Sequence, residues 1–292
     1  MAGLKRSTWQ EARERSVDHV LVFDIESVAD LPCVARVHGC PEGDDEAARE
    51  ALGGKFPKLI FHKIVALGAL IAERREDGWH VLSLGAPHIG ERTEAEMLTA
   101  FCERIGQFRP RLVGWNCASF DLPVLRYRSM INRVAAPGLE GRRYWYRYGD
   151  DSLDLCDALA CYEGRGKVAL HDLCRALGFP GKPSDIDGSE VERYVQEGRI
   201  AEVAEYCQTD VASTYRVWLV HELFRGGLTK AEFEVSEANL LGFVRERIEA
   251  KPYLAHLLGS ASASGAHSLD PPHAYGGAWY PAEHAEKADV LP

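Results

Sequence analysis

Apolar and polar positions divide the chain into two regimes: short β-rich runs dominate its first half and longer helical patterns its second. Val17 to Ile25 is a β-rich, mainly apolar run, as expected of a buried strand. Lys63 to Ala72 and Trp79 to Leu84 read as two further strands joined by the charged turn Glu73–Gly78, and Arg111 to Trp115 as another. Thr93 opens a helix reaching about Gln107, with Glu96 completing a capping box. Pro123 fits the first turn of a helix ending near Asn132. Glu26 to Phe61 reads as a loop-rich insertion with a short helix over Asp45–Leu52, and Arg133 to Asp151 as irregular and aromatic. Helical patterns then cover Leu153–Tyr162, Ala169–Leu177, Ser189–Gln196, Ile200–Phe224 and Lys230–Ala250. Strands early, with helices between and after them, predict one α/β domain around a mixed central sheet flanked by helices. The expected organisation is an N-terminal extension over 1–16, the domain over 17–250, and a flexible C-terminal extension over 251–292, where SASASG and PPHAYGG occur.

With 292 residues, 46% of them hydrophobic, the chain can bury a large core. Its net charge of −10 gives a polyanionic partner no bulk attraction, so binding nucleic acid would depend on local patches. The eight cysteines are scattered and form no Cys-x-x-Cys pair, and the N-terminus lacks an apolar signal core. No apolar run is long enough to span a bilayer, and the expectation is a reduced, cytoplasmic protein. Cys33, His38 and Cys40 come nearest to a zinc loop but have no matching second cluster.

The chemistry lies in three separated pieces. Asp24 and Glu26 alternate along a strand and so share a face. They suit a metal seat, or a strand end reaching solvent. Asn116 and Asp121 lie between a strand and the helix that begins near Pro123, where they can equally be a turn former and an N-cap. Tyr206 and Asp210 are one helical turn apart and face the same way; taken alone they read as a core tyrosine and a solvated acid. Four carboxylates are costly to gather, because like charges raise one another's pKa. A fold that gathers them calls for divalent cations, and with them metal-dependent phosphoryl chemistry.

These pieces, FDIES, GWNCASFDLPVL and YCQTD, resemble in order and separation the three motifs of DEDD 3′–5′ exonucleases. Tyr206 resembles the DEDDy branch; the histidine branch would have His where Glu205 stands. FDIE with GWN and FDLP is similar to the proofreading domain of B-family DNA polymerases, and the whole to stand-alone PolB-like exonucleases, since no polymerase portion follows. The resemblance implies a ribonuclease H-like fold. It also implies Asp24, Glu26, Asp121 and Asp210 as ligands of two Mg²⁺ or Mn²⁺ ions, with Asp24 bridging them. Tyr206 would then orient the attacking water, and Asn116 and Phe120 would support the terminal nucleotide. Single-stranded 3′ ends are the implied substrate, DNA ahead of RNA. An RNA-processing exonuclease and a non-catalytic nucleic-acid-binding domain are the alternatives.

Between Arg126 and Arg147 stand six arginines and a single acid, Glu140, interleaved with Tyr127, Tyr144, Trp145 and Tyr146. This composition reads as a single-strand track using Arg142, Arg143, Tyr144 and Trp145, or as aromatics packed beneath a loop. Asp150, Asp151, Asp154 and Asp157 read as solvated turn and helix-start charges.

Overall fold

The computed structural model describes residues 19–54, 56–181 and 188–259; the two expected extensions lie largely outside them. From the N-terminal side, β1 (His19–Ala29) leads through α1 (Leu31–His38) and α2 (Asp45–Leu52) to β2 (His62–Arg75) and β3 (Gly78–Gly85). Next come α3 (Glu94–Phe108), β4 (Arg111–Gly114), α4 (Asp121–Ile131) and the single turn α5 (Pro137–Glu140). They are followed by β5 (Ser152–Asp154), α6 (Leu155–Leu159), α7 (Leu170–Ala176), α8 (Val191–Gln196), α9 (Ile200–Phe224) and α10 (Lys230–Arg245).

The five strands form one sheet in the order β3-β2-β1-β4-β5. β1 pairs antiparallel with β2, and β2 with β3, whereas β4 lies parallel to both β1 and β5. This mixed sheet flanked by helices is the ribonuclease H-like arrangement. β1 is central because both its faces are apolar. Val20 and Val22 join Val211, Tyr215 and Trp218 of α9 in one core cluster. Leu21, Phe23 and Ile25 join Phe101 and Ile105 of α3 and Leu122 and Leu125 of α4 in the other. Each such side chain contributes about 1.5–3 kcal/mol on full burial, so the apolar flanks can hold polar groups between them.

α9 packs against β1 and β2. Gly68, paired with Asp24 across the sheet, makes the close approach possible. A Cβ there would lie 2.7 Å from Cys207 Sγ and 2.8 Å from a Val211 methyl. On the opposite face a buried ion network ties α1, α3 and α4 together. Arg128 donates to Asp30 at 2.6 Å and to both carboxylate oxygens of Glu94, at 2.7 and 2.6 Å. Glu94 also accepts the Ile64 amide at 2.8 Å. Arg128, only 3% exposed, is therefore a fastening of the fold and not part of a surface track.

Three expectations need correction. Leu153–Tyr162 does not form a single helix, because Ser152–Asp154 pairs with β4 and only Leu155–Leu159 is helical. Three residues carry too little periodicity to declare a strand, and the pairing edge of β4 decides the outcome. The insertion after Glu26 is more ordered than expected: β1 continues to Ala29, and Asp30 caps α1 by accepting the Cys33 amide. The core also passes the expected boundary at 250, because Leu254 and Leu257 of the 3₁₀ segment Pro252–Leu258 are buried in it. Among the described residues, no helix is long and apolar enough to cross a membrane.

Replacing Gly68 by Ala is expected to destabilise the fold by about 1–3 kcal/mol through overpacking. The measurement is a lower urea midpoint at unchanged slope. Gly85→Ala, at a position with open space around it, is the control and is expected to shift the midpoint little.

Candidate active site

The alternation that sends Val20 and Val22 toward α9 continues along β1, so Asp24 and Glu26 present their carboxylates to that helix. α9 answers with Tyr206, Cys207 and Asp210, which lie within one turn of each other. The β1–β4 ladder stops at Val22 with Val113. Beyond it, Asp121 Oδ1 at the start of α4 accepts the Ile25 amide at 3.2 Å, between the two acids of β1. Asp24 thereby feels the charges of Glu26, Asp121 and Asp210 together. Glu26, Asp121 and Asp210 thus lie within electrostatic reach of Asp24, and Tyr206 lies within reach of Asp210, Glu26 and Asp24.

Electrostatics mark this cluster. Burial, followed by the charges of Glu26, Asp121 and Asp210, holds Asp24 well above the usual carboxylate range. Burial pushes Asp121 up to about 7, against the lowering effect of backbone hydrogen bonds that include the one from Ile25. Burial raises the Tyr206 phenol strongly, helped by the charges of Asp210, Glu26 and Asp24 and by a hydrogen bond with Asp210. Cys207 is the residue that sequence reasoning missed. Its thiol lies 3.6 Å from both the carbonyl and Oδ2 of Asp24, and burial with the neighbouring acids keeps it protonated. The signal was present in the sequence, since residues 207 and 210 share a helix face.

Donor atoms of Asp24, Glu26 and Cys207 lie within 4.8 Å of one another. With the thiol neutral, the ionisable donors here are carboxylate oxygens, which suit a hard divalent cation such as Mg²⁺ or Mn²⁺. A cation would relieve the mutual repulsion that raises Asp24. The residues fit the metal.

The loop carrying Asn116 and Phe120 is held from below. Asn116 adopts a left-handed conformation with φ of 59°. Its amide and that of Ala118 both donate to the Asp154 carboxylate, each at 2.9 Å. Asp154 is thus a buried anchor rather than a solvated charge. Asp157, also buried, pairs with Arg147 and Lys167 at 2.7 Å each, and Lys167 donates to Asn116 Oδ1 at 2.7 Å. Those two corrections share one cause: the strand pairing of β5 turns Asp154 and Asp157 beneath the loop. Phe120 adjoins Asp121 and meets the His62 ring edge-on at 4.9 Å and the Phe56 ring at 5.9 Å.

The expected single-strand track is only partly available. Tyr144 is 1% exposed, and its hydroxyl donates to the Pro110 carbonyl at 2.8 Å, so no base can stack on it. Arg142 is committed to the Asp151 carboxylate and the Arg109 carbonyl. The loop packs Tyr144 against the core and turns Arg142 toward an acid and a carbonyl of its own chain. Arg143 is exposed and lies over the Tyr146 ring at 4.4 Å, and Trp145 is half-buried with Arg126 over it at 4.6 Å.

Over residues 54–260 the sequence matches the family described as "Predicted 3'-5' exonuclease related to the exonuclease domain of PolB". Asn116, Asp121, Tyr206 and Asp210 lie inside that stretch, and Asp24 and Glu26 precede it. No curated protein matches the chain. Solved structures that resemble it include E. coli exonuclease I in complex with a 5cy-dT13 oligonucleotide, at 14% identity and a TM-score of 0.36, covering 68% of this chain and 43% of that one. The ExoI/SSB-Ct complex is similar at 14% identity and a TM-score of 0.35, covering 68% and 44%. A product-bound structure of exonuclease I follows at 14% identity and a TM-score of 0.34, covering 71% and 48%. The chain spans less than half the length of these proteins, and the likeness is distant. The sequence match covers most of the chain, which belongs to the family of predicted 3′–5′ exonucleases related to the exonuclease domain of PolB.

Proposed function

We propose that the protein is a DEDDy-type, two-metal-ion exonuclease that removes nucleoside 5′-monophosphates from single-stranded 3′ ends, DNA ahead of RNA. The observation that carries this reading is the convergence of Asp24, Glu26, Asp121 and Asp210, felt together at Asp24. In this reading the four carboxylates would hold two Mg²⁺ or Mn²⁺ ions, with Asp24 a ligand. Bound there, such ions supply a water of lowered pKa and neutralise charge at the leaving oxygen.

The remaining roles fall to the chain itself. Asn116 and Phe120 hold the terminal nucleotide beside Asp121. Tyr206 orients the attacking water through its hydroxyl; a phenol raised by burial and by Asp210 is no general base at neutral pH. The water oxygen bonds to the terminal phosphorus, and the bond from phosphorus to the penultimate 3′-oxygen breaks. The released nucleotide keeps its 5′-phosphate, and the shortened strand regains a 3′-hydroxyl.

The test offers 5′-labelled single- and double-stranded DNA and RNA to the purified protein with Mg²⁺, Mn²⁺ or chelator. A shortening ladder is expected with single-stranded DNA, abolished by chelator and by Asp24→Ala. Tyr206→Phe is expected to slow it roughly a hundred-fold, the scale of a positioned acid–base group. Undiminished digestion by Asp24→Ala would assign the cleavage to another nuclease.

The raised carboxylates also predict a stability signature. Between the ordinary aspartate range and about 7, folded Asp121 keeps a proton that the unfolded chain releases. Its favourable contribution is complete at low pH and is lost as pH rises through about 7. In chelator at pH 8, Asp121→Asn is therefore expected to melt above wild type, because it removes a carboxylate charge that burial and its acidic neighbours disfavour. Mn²⁺ is expected to raise the wild-type melting temperature more than that of the variant. Equal melting of both proteins in chelator would contradict the repulsion.

A further inference from the structure

We propose that the face formed by α4, the loop at 144–148 and Tyr162 binds the bases of a single-stranded nucleic acid, upstream of the end held at the acidic cluster. This rests on the exonuclease reading of that cluster and identifies where the rest of its substrate lies. A cavity of about 480 Å³ opens here, with Leu122, Arg126, Tyr127, Met130, Trp145 and Arg147 among its walls. That volume is in the range of pockets that take a nucleotide-sized group.

The composition of the face is unusual within this molecule. Tyr127, Tyr146, Tyr148 and Tyr162 are the exposed tyrosines among the described residues, and all four lie on it. Met130 beside them is 77% exposed. Tyr146, Tyr148 and Tyr162 form a ladder of rings, with centroids 6.1 and 4.8 Å apart. Arginines lie over the rings: Arg126 over Trp145 at 4.6 Å, Arg143 over Tyr146 at 4.4 Å and Arg147 over Tyr162 at 5.5 Å. The acids nearby are occupied, Asp154 by backbone amides, Asp157 by Arg147 and Lys167, and Glu140 by Arg126 and the Trp145 indole.

Rings that stack bases, beside guanidinium groups that meet phosphates, recognise single strands whatever their sequence. Continuity with the acidic cluster commits the face to this occupant. Cys117, Ala118, Ser119 and Leu122 of the cavity wall belong to the loop and helical turn that carry Asp121. A strand whose end lies at Asp121 has this wall beside it. The arrangement also answers the net charge of −10, since stacking needs no bulk attraction.

The test measures the affinity of fluorescein-labelled dT12, rU12 and dT2 by anisotropy with Ca²⁺ in place of Mg²⁺, a hard cation that can seat the strand end. It compares wild type with Tyr127→Ala, Tyr148→Ala and the double variant; both side chains are exposed, so the fold tolerates their loss. Each single variant is expected to weaken dT12 and rU12 roughly tenfold and the double variant further, the scale of a lost base stack. dT2 is too short to reach the face and is expected to change less than twofold. Tyr127→Phe keeps the ring and is expected to bind as wild type. Unchanged affinity for dT12, or an equal loss for dT2 and dT12, overturns the proposal. Failure of the wild-type protein to hydrolyse any strand with Mg²⁺ or Mn²⁺ would instead overturn the exonuclease reading, and the anisotropy result would stand apart from it.

Discussion

The close seating of α9 on the sheet at Gly68 is the constraint on which the site depends. A side chain at residue 68 would collide with Cys207 and Val211, so the bare backbone lets the helix come down beside Asp24. The force that holds it there is apolar and acts on the helix beyond the acids. Val211, Tyr215 and Trp218 pack with Val20 and Val22, while Val203, Ala204 and Cys207 join a separate cluster with Val65 and Ala66. Several side chains at about 1.5–3 kcal/mol each can offset the repulsion of a few carboxylates. The anions are thus gathered by neighbours that have no part in their chemistry.

The second support is the loop before α4, and its logic is different. Trp115 and Phe120 pack against the core at its two ends, and hydrogen bonds fix the backbone between them. Asp154 takes two of its amides, Lys167 takes the Asn116 side chain, and Asp121 reaches the Ile25 amide where the ladder to β4 has ended. Cys117 packs close under Gly114, where a Cβ would come within 2.7 Å of its sulfur. Buried carboxylates that accept backbone amides are hard to replace, since losing the acceptor leaves donors unsatisfied at about 1–3 kcal/mol each. Asp154 therefore positions Asn116 and Asp121 without joining the acidic cluster.

An acidic cluster is a poor place for a phosphate to arrive unless cations are present, because burial and then the neighbouring charges already disfavour ionised Asp24. Under the proposed function, cation and substrate reinforce each other: each ion lowers the cost of bringing a phosphate to Asp24, and each phosphate completes the coordination of an ion. Affinity for the remaining strand then has to come from elsewhere. The aromatic and arginine-rich face beside α4 has the chemistry for it, without adding a charge beside Asp24.

What the sequence disclosed and what it hid follow one physical line. Long elements with a strong period were legible: the helix over Ile200–Phe224 and the short helix over Asp45–Leu52 occur with the expected bounds, and the Thr93–Glu96 capping box is present. The expectation that Asp24, Glu26, Asp121, Tyr206 and Asp210 gather came from the resemblance of the three motifs, and the charges of Glu26, Asp121 and Asp210 do act together at Asp24. Features set by pairing across the chain were not legible. Ser152–Asp154 is a strand only because β4 lies beside it, and that pairing buries Asp154 and Asp157, which composition alone assigns to solvent. Tyr144 and Arg142 sit among arginines and aromatics indistinguishable in composition from a binding track, yet Pro110 and Asp151 claim them. Within such a segment the residues left for a ligand are those without a core or an acid to turn to. Tyr127 and Tyr148 are left exposed where Tyr144 is buried, and only the tertiary fold tells them apart.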